Sequence, residues 1–477
     1  MLVARASGTF PLASRCQGLA WLTVDESFRD RQICIVGLGY VGLTLAATMA
    51  SVGFRIMGIE IRSSVLEMLR CGHSHFHEPG LNEMLAQGME DGLLEWRHEI
   101  PRGCEASVYI ITVGTPLGQG GEVRLDMIER VTREIARRAK PGSLVILRST
   151  VMVGTTRNLV LPILEETGAG LQVAFCPERT IEGQALRELR QLPQIVGASD
   201  LQTIMRATQI FQFLTSTIVR VGSFETAEMI KLIDNVQRDV LFALANEVSL
   251  MCDAIGISAD EVVRSGKLGY VRHVVPLPGP VGGPCLSKDS YILAQGVAKA
   301  GVVPEIALTS RKLNEQQLRG VAETLRNWTD RLTGFPKKPV ITLLGLAFKG
   351  RPATDDIRGT TAKPILDALR IAYPTAEFRG FDAVVAAHDI SGFGIASVDS
   401  LEDGFRGANL VLILNNHPVF ENLPLSRLAR LMCAPGIIYD MWHHYKAQEL
   451  RLPPAIGYAA LGSHSTARLP IAPGANY

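Results

Sequence analysis

The chain has 477 residues, which is long for a single domain, so two or three domains are expected. Hydrophobic residues make up 47% of it and charged residues 20%, a balance typical of a globular protein with large cores. The net charge of +1 gives no general attraction to nucleic acid or to an acidic membrane surface, so neither partner is expected. The eight cysteines include no C-x-x-C pair, which predicts a reducing, cytoplasmic setting and no metal site.

Residues 1–30 do not fit the pattern of the rest of the chain. They contain Arg5 and Arg15 but no acidic residue before Asp25. A weak signal or transit segment would carry such charges, but the apolar stretches here are short and broken. The composition favours a disordered leader, or a start codon placed too early.

A nucleotide-binding pattern follows in residues 32–62. A short apolar run, Ile33–Val36, leads into three glycines in G-x-G-x-x-G spacing, then a helical stretch and a second apolar run that ends at Glu60. The three glycines are Gly37, Gly39 and Gly42. In such a loop the first glycine permits a tight turn, the second lets a pyrophosphate approach the backbone, and the third lets the helix pack on the strand. Strand, helix, strand and acid in this order predict a dinucleotide site.

Glu60 stands where an acid binds the ribose hydroxyls of the adenosine, so NAD is favoured over NADP. Arg62 is close enough in sequence to weaken that preference. A transmembrane helix is the alternative for this long apolar run. The charged residues Arg55 and Glu60 and the clustered glycines argue against it.

The order of the predicted elements suggests three domains. Short apolar runs alternate with helical stretches over residues 33–221, which predicts an NAD-binding domain (31–222) with a doubly wound parallel sheet. Residues 223–333 should form a central helical domain, with one long helix over about 226–256. A helix of that length should bridge two domains and pack against a second subunit, giving a homodimer or a larger homo-oligomer. Residues 334–470 should form a second Rossmann-like domain, which completes the α/β fold.

Polar side chains collect where the strands of the first domain end. Glu178 and Glu182 follow the run LQVAFCP, Thr150 ends a second strand, and Thr115 ends a third. The carboxyl ends of parallel strands meet at one edge of a sheet, where active sites gather. Three loops that reach the same edge predict a site there.

Two other pairs of residues suit a ligand. Phe348 and Lys349 end the first strand of the last domain, where the ring could stack on a base and the lysine could meet a phosphate; an ordinary strand end is the alternative. Lys231 and Asn235 lie four residues apart on one face of the long helix, where they could hold an alkoxide or a tetrahedral oxyanion. A solvated surface lysine is the alternative there.

The segment PGPVGGPCLSKD sets one cysteine behind a Gly-Gly-Pro run. Gly282 and Gly283 would let the backbone approach a ligand, and Pro284 suits the first position of a helix. Cys285 would then lie at a helix N-terminus, which favours the thiolate, with Asp289 on the same helix face. A nucleophile beside a carboxylate is what covalent catalysis followed by hydrolysis needs. The alternative is a buried structural cysteine.

With these motifs in order, the chain resembles the UDP-sugar 6-dehydrogenase family. That family includes the UDP-glucose, UDP-N-acetylglucosamine and UDP-N-acetylmannosamine dehydrogenases. The similarity runs from about Gln32 to about Tyr445. One such motif is weak, whereas eight in sequence are very specific. They are GLGYVGL, HEPGL, the TP of VGTP, STVMVGTT, FCPER, KLIDN, GGPCLSKD and GLAFKGRPATDDIRG.

The resemblance implies a role for each candidate residue. The nucleophile would be Cys285, supported by Lys231, Asn235 and Asp289. The catalytic water would be held by Thr150 and Glu182, with Glu178 lining the site. The residues in contact with NAD would be Gly37, Gly39, Tyr40, Val41, Gly42, Glu60, Arg62, Thr115 and Arg358. The UDP-sugar would be bound by Gly282, Gly283, Phe348 and Lys349, and by Arg272 reaching in from a neighbouring subunit.

Departures from the family pattern blur the sugar assignment. Related chains often read PGPGVGGHC where this one reads PGPVGGPC, so Pro284 replaces a histidine, and either Pro280 replaces a glycine or the loop is one residue shorter. The PER of residues 177–179 and the PLPGP before the cysteine resemble the UDP-N-acetylhexosamine branch more than the UDP-glucose branch. The expectation is a four-electron oxidation of the C6 alcohol of a UDP-N-acetylhexosamine, with UDP-glucose as the alternative.

Two other functions stay open at this point. A two-electron hydroxyacid-type dehydrogenase also places a lysine and an asparagine on a long helix after its Rossmann domain. It would need neither Cys285 nor a second nucleotide-binding domain. A non-catalytic NAD- or UDP-sugar-binding regulator would tolerate the loss of Cys285, Lys231 or Asp289, and all three are present.

Overall fold

The computed structural model describes residues 23–470. In this range the first lobe consists of strands and helices that alternate along the chain. Its strands are β1 (Gln32–Val36), β2 (Arg55–Ile59), β3 (Leu94–Arg97), β4 (Val108–Ile111), β5 (Leu144–Leu147), β6 (Gln172–Phe175), β7 (Gln194–Ala198) and β8 (Ile218–Val221). Its helices are α1 (Tyr40–Ala50), α2 (Ser63–Arg70), α3 (Leu81–Glu90), α4 (Asp126–Arg138), α5 (Leu161–Glu165), α6 (Ala185–Gln191) and α7 (Leu201–Phe211).

These strands form one sheet in the order β3-β2-β1-β4-β5-β6-β7-β8. The predicted doubly wound parallel sheet is confirmed, with one addition: β7 runs antiparallel to β6. The chain enters β7 from the carboxyl edge at which β6 ends, so no crossover separates these two strands. The central strands β1, β4 and β5 are almost wholly buried, as continuous apolar runs should be in a sheet covered on both faces.

Residues 23–30, the end of the predicted leader, pack against this lobe. The Val24 N–H donates to the Val52 carbonyl oxygen at 2.8 Å, and Asp30 forms a buried ion pair with Arg206 at 2.7 Å. The folded lobe therefore begins before residue 31. The rest of the leader prediction, residues 1–22, lies outside the described residues.

A helical region joins the two lobes. Its helices are α8 (Phe224–Ile255), α9 (Ala259–Lys267), α10 (Asp289–Ala298) and α11 (Glu305–Thr329). The predicted long helix is confirmed, since α8 has 32 residues. It begins after Ser223, whose side chain caps the Thr226 N–H, and ends at Gly256, whose φ of 77° suits glycine. Both α10 and α11 pack along α8, so α8 is the central helix of this region.

The second lobe repeats the α/β pattern. Its strands are β9 (Val340–Leu344), β10 (Glu377–Phe381), β11 (Ala396–Ser397), β12 (Leu410–Ile413), β13 (Gly436–Asp440) and β14 (Ile456–Ala460). Its helices are α12 (Ala362–Ala372), α13 (Ala387–Gly392), α14 (Leu401–Phe405) and α15 (Leu425–Leu428). The strands form a parallel sheet in the order β11-β10-β9-β12-β13-β14. The predicted fold of two Rossmann-like units joined by a helical connector is therefore confirmed.

The two lobes touch at the carboxyl edges of their sheets. The Lys349 side chain, just after β9, donates to the Glu182 carbonyl oxygen of the first lobe at 2.6 Å. A Cβ on Gly183 would lie only 2.7 Å from the Ala353 carbonyl oxygen, so this close approach requires a glycine. The polar side chains at both sheet edges thus face each other between the lobes. Within residues 23–470, no helix has the length and apolar character needed to cross a membrane.

Candidate active site

The glycine turn after β1 has the geometry that a dinucleotide requires. Gly37 has a φ of +97°, and α1 begins directly after Gly39 with no side chain capping its first N–H groups. No atom lies within 4 Å of where a Cβ on Gly39 would be. A Cβ on Gly42, by contrast, would overlap the Gly37 carbonyl oxygen and lie 2.6 Å from the Thr112 hydroxyl. The second glycine therefore leaves open space at a helix N-terminus, which is what the close approach of a pyrophosphate would need.

The acid at the end of β2 is paired with its neighbour. The Glu60 carboxylate accepts hydrogen bonds from the Arg62 backbone N–H at 3.0 Å, from Nε at 3.1 Å and from Nη2 at 3.0 Å. Burial would raise the pKa of Glu60, but the Arg62 hydrogen bonds hold it below its ordinary value, so the carboxylate is charged. Arg62 balances much of that charge, which weakens the expected repulsion of a 2′-phosphate.

Tyr40 and Val41, both predicted to contact NAD, lie in the first turn of α1 and are half-buried. The Tyr40 hydroxyl donates to the Glu78 carboxylate, and the Gly183 N–H donates to both groups, at 2.8 and 2.7 Å. This hydroxyl therefore braces the glycine turn against the loop after β6. Glu78, the buried acid of the HEPGL motif, is a residue whose contact the sequence did not reveal.

Two of the predicted strand-end residues contact each other. The Thr115 hydroxyl donates to the Thr150 carbonyl oxygen at 2.5 Å, which ties the ends of β4 and β5 together. Thr115 is buried, so its side chain holds the edge of the sheet. Thr150 is only half-buried, so its side chain, unlike that of Thr115, is accessible to a ligand.

The loop that follows Thr150 is held by Glu228 on α8, a residue that sequence reasoning missed. Its buried carboxylate accepts the Gly154 N–H at 2.6 Å, the Thr156 N–H at 2.9 Å and the Thr156 hydroxyl at 2.6 Å. Glu228 thus fixes this loop onto the helix that carries Lys231. The available signal was an acid one turn before Lys231, on the same helix face.

Cys285 lies in a turn just before α10. The helix begins at Asp289, whose N–H donates to the Cys285 carbonyl oxygen at 2.9 Å. The predicted helix start at Pro284 is therefore wrong, and with it the stabilisation of a thiolate by a helix N-terminus. The cysteine is reached by solvent but is closely surrounded by protein. Desolvation, and next the Asp289 charge, raise the pKa of Cys285, while Lys231 and Lys288 act in the opposite direction.

Three other predicted residues are gathered around this cysteine. Asn235 donates to the Asp289 carboxylate at 2.6 Å, and Lys288 forms an ion pair with it at 3.2 Å. Asp289 is 1% exposed, and Lys231 and Asn235 are each 8% exposed. Lys231 is therefore not a solvated surface lysine. A buried ammonium and a buried amide beside Cys285 can stabilise negative charge on a reacting oxygen.

The carboxylate of Glu178, which was predicted to line the site, is occupied by hydrogen bonds from other residues of the protein. Its carboxylate accepts from Arg148 at 2.5 Å and from the Thr180 N–H at 2.8 Å. Burial would raise the pKa of Glu178, but the Arg148 charge and these hydrogen bonds hold it below its ordinary value. Arg148 is itself buried and also binds the Cys176 carbonyl oxygen at 3.0 Å, so the pair braces the loop after β6. Sequence reasoning missed Arg148 because its partner lies 30 residues away.

Glu182 faces the second lobe. Arg358, predicted to contact NAD, donates from Nη2 to Glu182 at 3.3 Å and to Asp356 at 2.6 Å, so two carboxylates share one guanidinium. Desolvation first, and the Asp356 charge second, raise the pKa of Glu182 to about 8, against the charges of Arg358 and Lys349. The protonated form of Glu182 is therefore favoured relative to an exposed glutamate. Its Oε2 is buried and has no hydrogen-bond partner among the described residues.

Gly282 and Gly283 meet protein where the sequence suggested space for a ligand. A Cβ on Gly283 would lie 2.5 Å from the Phe348 ring, and the Gly283 N–H donates to the Gly359 carbonyl oxygen at 2.7 Å. A Cβ on Gly282 would overlap that same oxygen. Both glycines are thus required by the close approach of the second lobe. The Phe348 ring packs on Gly283, and the Lys349 Nζ lies 5.3 Å from the ring centroid, so this pair stands beside the cysteine loop.

Arg272 is not brought into the site of its own chain. It is exposed in the loop between α9 and α10, with its guanidinium 5.9 Å from the Tyr270 ring centroid. Apolar neighbours in the same loop are also exposed, Leu268 at 87% and Val271 at 93%. The predicted contact between Arg272 and the ligand of a neighbouring subunit stays a prediction.

The chain is similar to known proteins over most of its length. Three models of the UDP-glucose/GDP-mannose dehydrogenase family match the chain: the NAD binding domain at residues 31–215, the central domain at 225–316 and the UDP binding domain at 342–447. The UDP-N-acetyl-D-mannosamine dehydrogenase of Pyrococcus horikoshii is 30% identical over 84% of this chain and 93% of its own.

Two solved structures share the fold along nearly their whole length. That of the UDP-D-ManNAc dehydrogenase from Pyrococcus horikoshii has a TM-score of 0.81 at 29% identity, covering 91% of this chain and 100% of the other. That of a UDP-glucose dehydrogenase from Pyrobaculum islandicum has a TM-score of 0.80 at 25% identity, covering 92% and 99%.

Proposed function

The chain belongs to the UDP-glucose/GDP-mannose dehydrogenase family of NAD-dependent oxidoreductases, and we propose that it oxidises the C6 alcohol of a UDP-N-acetylhexosamine to a carboxylate. One observation carries the proposal: Cys285 lies with Lys231, Asn235 and Asp289 where the two lobes meet. Oxidation of an alcohol to a carboxylate removes four electrons and passes through an aldehyde. A cysteine can hold that aldehyde as a thiohemiacetal, which is itself a hydride donor.

The chemistry divides into steps that these side chains can serve. NAD, bound at the glycine turn, supplies the hydride acceptor, and the full oxidation consumes two molecules of it. Lys231 and Asn235 stabilise the alkoxide that remains when the C6 hydroxyl releases its proton to solvent, and loss of the first hydride from C6 then gives the aldehyde. The sulfur of Cys285 then bonds to the aldehyde carbon, and Asp289 receives the thiol proton. Loss of a second hydride leaves a thioester, which water hydrolyses to the carboxylate and the free thiol.

Thr150 and Glu182 are the groups assigned to the hydrolytic water. Glu182 supports this role because one of its buried carboxyl oxygens has no hydrogen-bond partner within residues 23–470, and because burial raises its pKa. Glu178 receives no direct role, since Arg148 and backbone N–H groups occupy its carboxylate. Its contribution is to hold the loop that carries Glu182.

The choice of sugar rests on the relatives and on short motifs. The Pyrococcus horikoshii relative carries the name UDP-N-acetyl-D-mannosamine dehydrogenase, and the PER of residues 177–179 points to the same branch. UDP-glucose is the second candidate, because the Pyrobaculum islandicum structure of a UDP-glucose dehydrogenase superimposes almost as well. A two-electron hydroxyacid reaction is less favoured, since it would leave Cys285 and the UDP binding domain without a use.

Assembly is part of the same proposal. Exposed apolar side chains lie on α8, among them Leu250 and Ile255, and in the loop that carries Arg272. A homodimer or larger homo-oligomer would cover them and bring Arg272 to the ligand of its neighbour. An active monomer, found by light scattering at micromolar concentration, would refute this.

The proposal also assigns a role to each domain of a cytoplasmic enzyme. Residues 31–222 would bind NAD, residues 223–333 would form the subunit contact, and residues 334–470 would bind the UDP-sugar.

A panel of substrates tests the function. Purified protein is mixed with NAD and, separately, with UDP-N-acetylmannosamine, UDP-N-acetylglucosamine, UDP-glucose and simple 2-hydroxy acids, and NADH is followed by absorbance. The proposal predicts the highest kcat/KM with a UDP-N-acetylhexosamine. The highest value with UDP-glucose would favour the second candidate, and activity with hydroxy acids alone would overturn both.

A further inference from the structure

Arg311 lies behind the segment that carries the nucleophile. It projects from α11, is 1% exposed, and donates to the Leu286 carbonyl oxygen at 3.0 Å and to the Val281 carbonyl oxygen at 3.2 Å. These two carbonyl groups stand on either side of Cys285 in the chain. One guanidinium therefore holds the cysteine segment from both flanks, as its planar, forked set of N–H donors allows.

The same guanidinium joins this segment to the helix that carries the predicted catalytic residues. Arg311 donates from Nη1 to the buried Asp239 carboxylate on α8 at 2.9 Å. Asp239 follows Lys231 and Asn235 at four-residue spacing, so all three lie on one face of α8. Asp239 also accepts the Ser290 hydroxyl at 3.2 Å. The distance between the cysteine and the face with Lys231 and Asn235 is thus set through Asp239 and Arg311.

The cysteine segment needs such an anchor because it has little structure of its own. No helix or strand is formed between Leu268 and Lys288. Its other anchors include the Asn246 side chain on α8. The Gly279 N–H donates to Asn246 Oδ1 at 2.9 Å, and Asn246 Nδ2 donates to the Gly279 carbonyl oxygen at 3.1 Å. Asn246 holds the entry of the segment, whereas Arg311 holds the part that contains the nucleophile.

We propose that Arg311 is a positioning residue, which keeps the Cys285 sulfur in register with Lys231 and Asn235. The competing interpretation is that Arg311 and Asp239 form an ordinary buried ion pair that serves stability alone. The two differ in one respect. A stability pair should leave the reactivity of the thiol in the folded protein unchanged, whereas a positioning residue should alter it.

The test compares Arg311→Lys with Arg319→Lys, an exposed arginine on the same helix, in the full-length protein. Lysine keeps the charge but lacks the forked donors needed to reach two carbonyl groups and a carboxylate together. Iodoacetamide alkylation is followed by peptide mass spectrometry, because Cys71 and Cys433 are also exposed. The buried Cys34 and Cys176 report global unfolding in the same sample. Turnover is measured as NADH formation with the UDP-sugar chosen from the substrate panel.

For Arg311→Lys the proposal predicts that turnover falls about 100-fold, as a nucleophile displaced by about 1 Å would cause. It also predicts that Cys285 alkylation speeds up at least about threefold, since a loosened loop exposes the thiol further to water and to the reagent, with Cys34 and Cys176 still protected. Arg319→Lys should match the wild type in both measurements. Turnover within about twofold of wild type, or unchanged alkylation of Cys285 beside lost turnover, would overturn the proposal.

If Arg311→Lys does not fold, Asp239→Asn takes its place. Cys285 alkylation and NADH turnover are measured in the same way, and the same results support or overturn the proposal. The turnover measurement rests on the function proposed above, whereas the alkylation measurement does not. A wild-type protein that oxidises no UDP-sugar would count against the function only. An unchanged alkylation rate would count against the role of Arg311 only.

Discussion

Replacing Gly39 by alanine should separate cofactor binding at the glycine turn from its structural role. Gly39 precedes α1 with a φ of −69°, and no atom lies within 4 Å of a Cβ built on it. The free protein therefore has room for the methyl group and no left-handed backbone strain to overcome. A bound pyrophosphate would occupy that same space, because it approaches the backbone at the helix N-terminus.

The two costs can be set against each other. For folding, alanine replaces a favourable N-cap residue at about 0.5–1 kcal/mol, which lowers Tm by a few degrees at most. For NAD binding, the methyl group overpacks the site at about 1–3 kcal/mol, which raises Kd about 5- to 150-fold. Gly42→Ala provides the contrast. Its Cβ would overlap the Gly37 carbonyl oxygen even without NAD, so the free protein itself should lose about 1–3 kcal/mol.

Calorimetric titration with NAD and a thermal melt are run on both variants and on Gly320→Ala. Gly320 lies on α11, where a Cβ also meets no atom within 4 Å, so this control should bind NAD like the wild type. Gly39→Ala should lose affinity with little change in Tm, and Gly42→Ala should lose both. An unchanged Kd for Gly39→Ala would refute the placement of the pyrophosphate.

Three further predictions concern single side chains. Arg62→Ala should raise the preference for NAD over NADP in kcat/KM at least about fivefold, because Glu60 would repel a 2′-phosphate unopposed; an unchanged ratio would argue against it. Since the pKa of Glu182 is raised from 4.5 to about 8, wild-type protein should lose stability as pH rises between these values, by up to about 1.4 kcal/mol per pH unit. Glu182→Gln cannot titrate and should lack this loss, so identical thermal-melt profiles across that range would contradict the assignment. Cys285→Ser should lower the rate of NADH formation by more than the ~10²–10⁴-fold that a general acid or base supplies. Its affinity for NAD, measured by calorimetry, should be retained. A rate near that of the wild type would mean that Cys285 is a structural residue.

Sequence reasoning succeeded where the chemistry is local. The turn at Gly37, the open space at Gly39 and the close packing at Gly42 follow from backbone geometry within six residues, and the structure has all three, while their contact with NAD stays a prediction. The spacing of Lys231 and Asn235 on α8 follows from the helix period. Fold class was equally accessible, because a parallel sheet covered on both faces requires continuous apolar strands.

The rest depends on contacts between distant parts of the chain. Tyr40 fits an NAD contact in sequence, yet its hydroxyl is bound by Glu78, which no local pattern pairs with it. Gly283 suits a ligand loop, yet its surface is covered by Phe348 from the other lobe. The helix start was misplaced because Pro284 satisfies the N1 preference. The residues that follow Pro284 form a turn instead, and α10 begins only at Asp289.

The central claim is that one site carries out both oxidations through Cys285, and the ratio of NADH formed to uronate formed tests it most directly. The measurement uses purified protein with limiting UDP-sugar and excess NAD, with a carbonyl reagent present to trap any aldehyde that leaves the site. Two NADH per uronate, with no trapped aldehyde, is the predicted result. One NADH per sugar consumed, with the aldehyde recovered as its adduct, would contradict the four-electron mechanism.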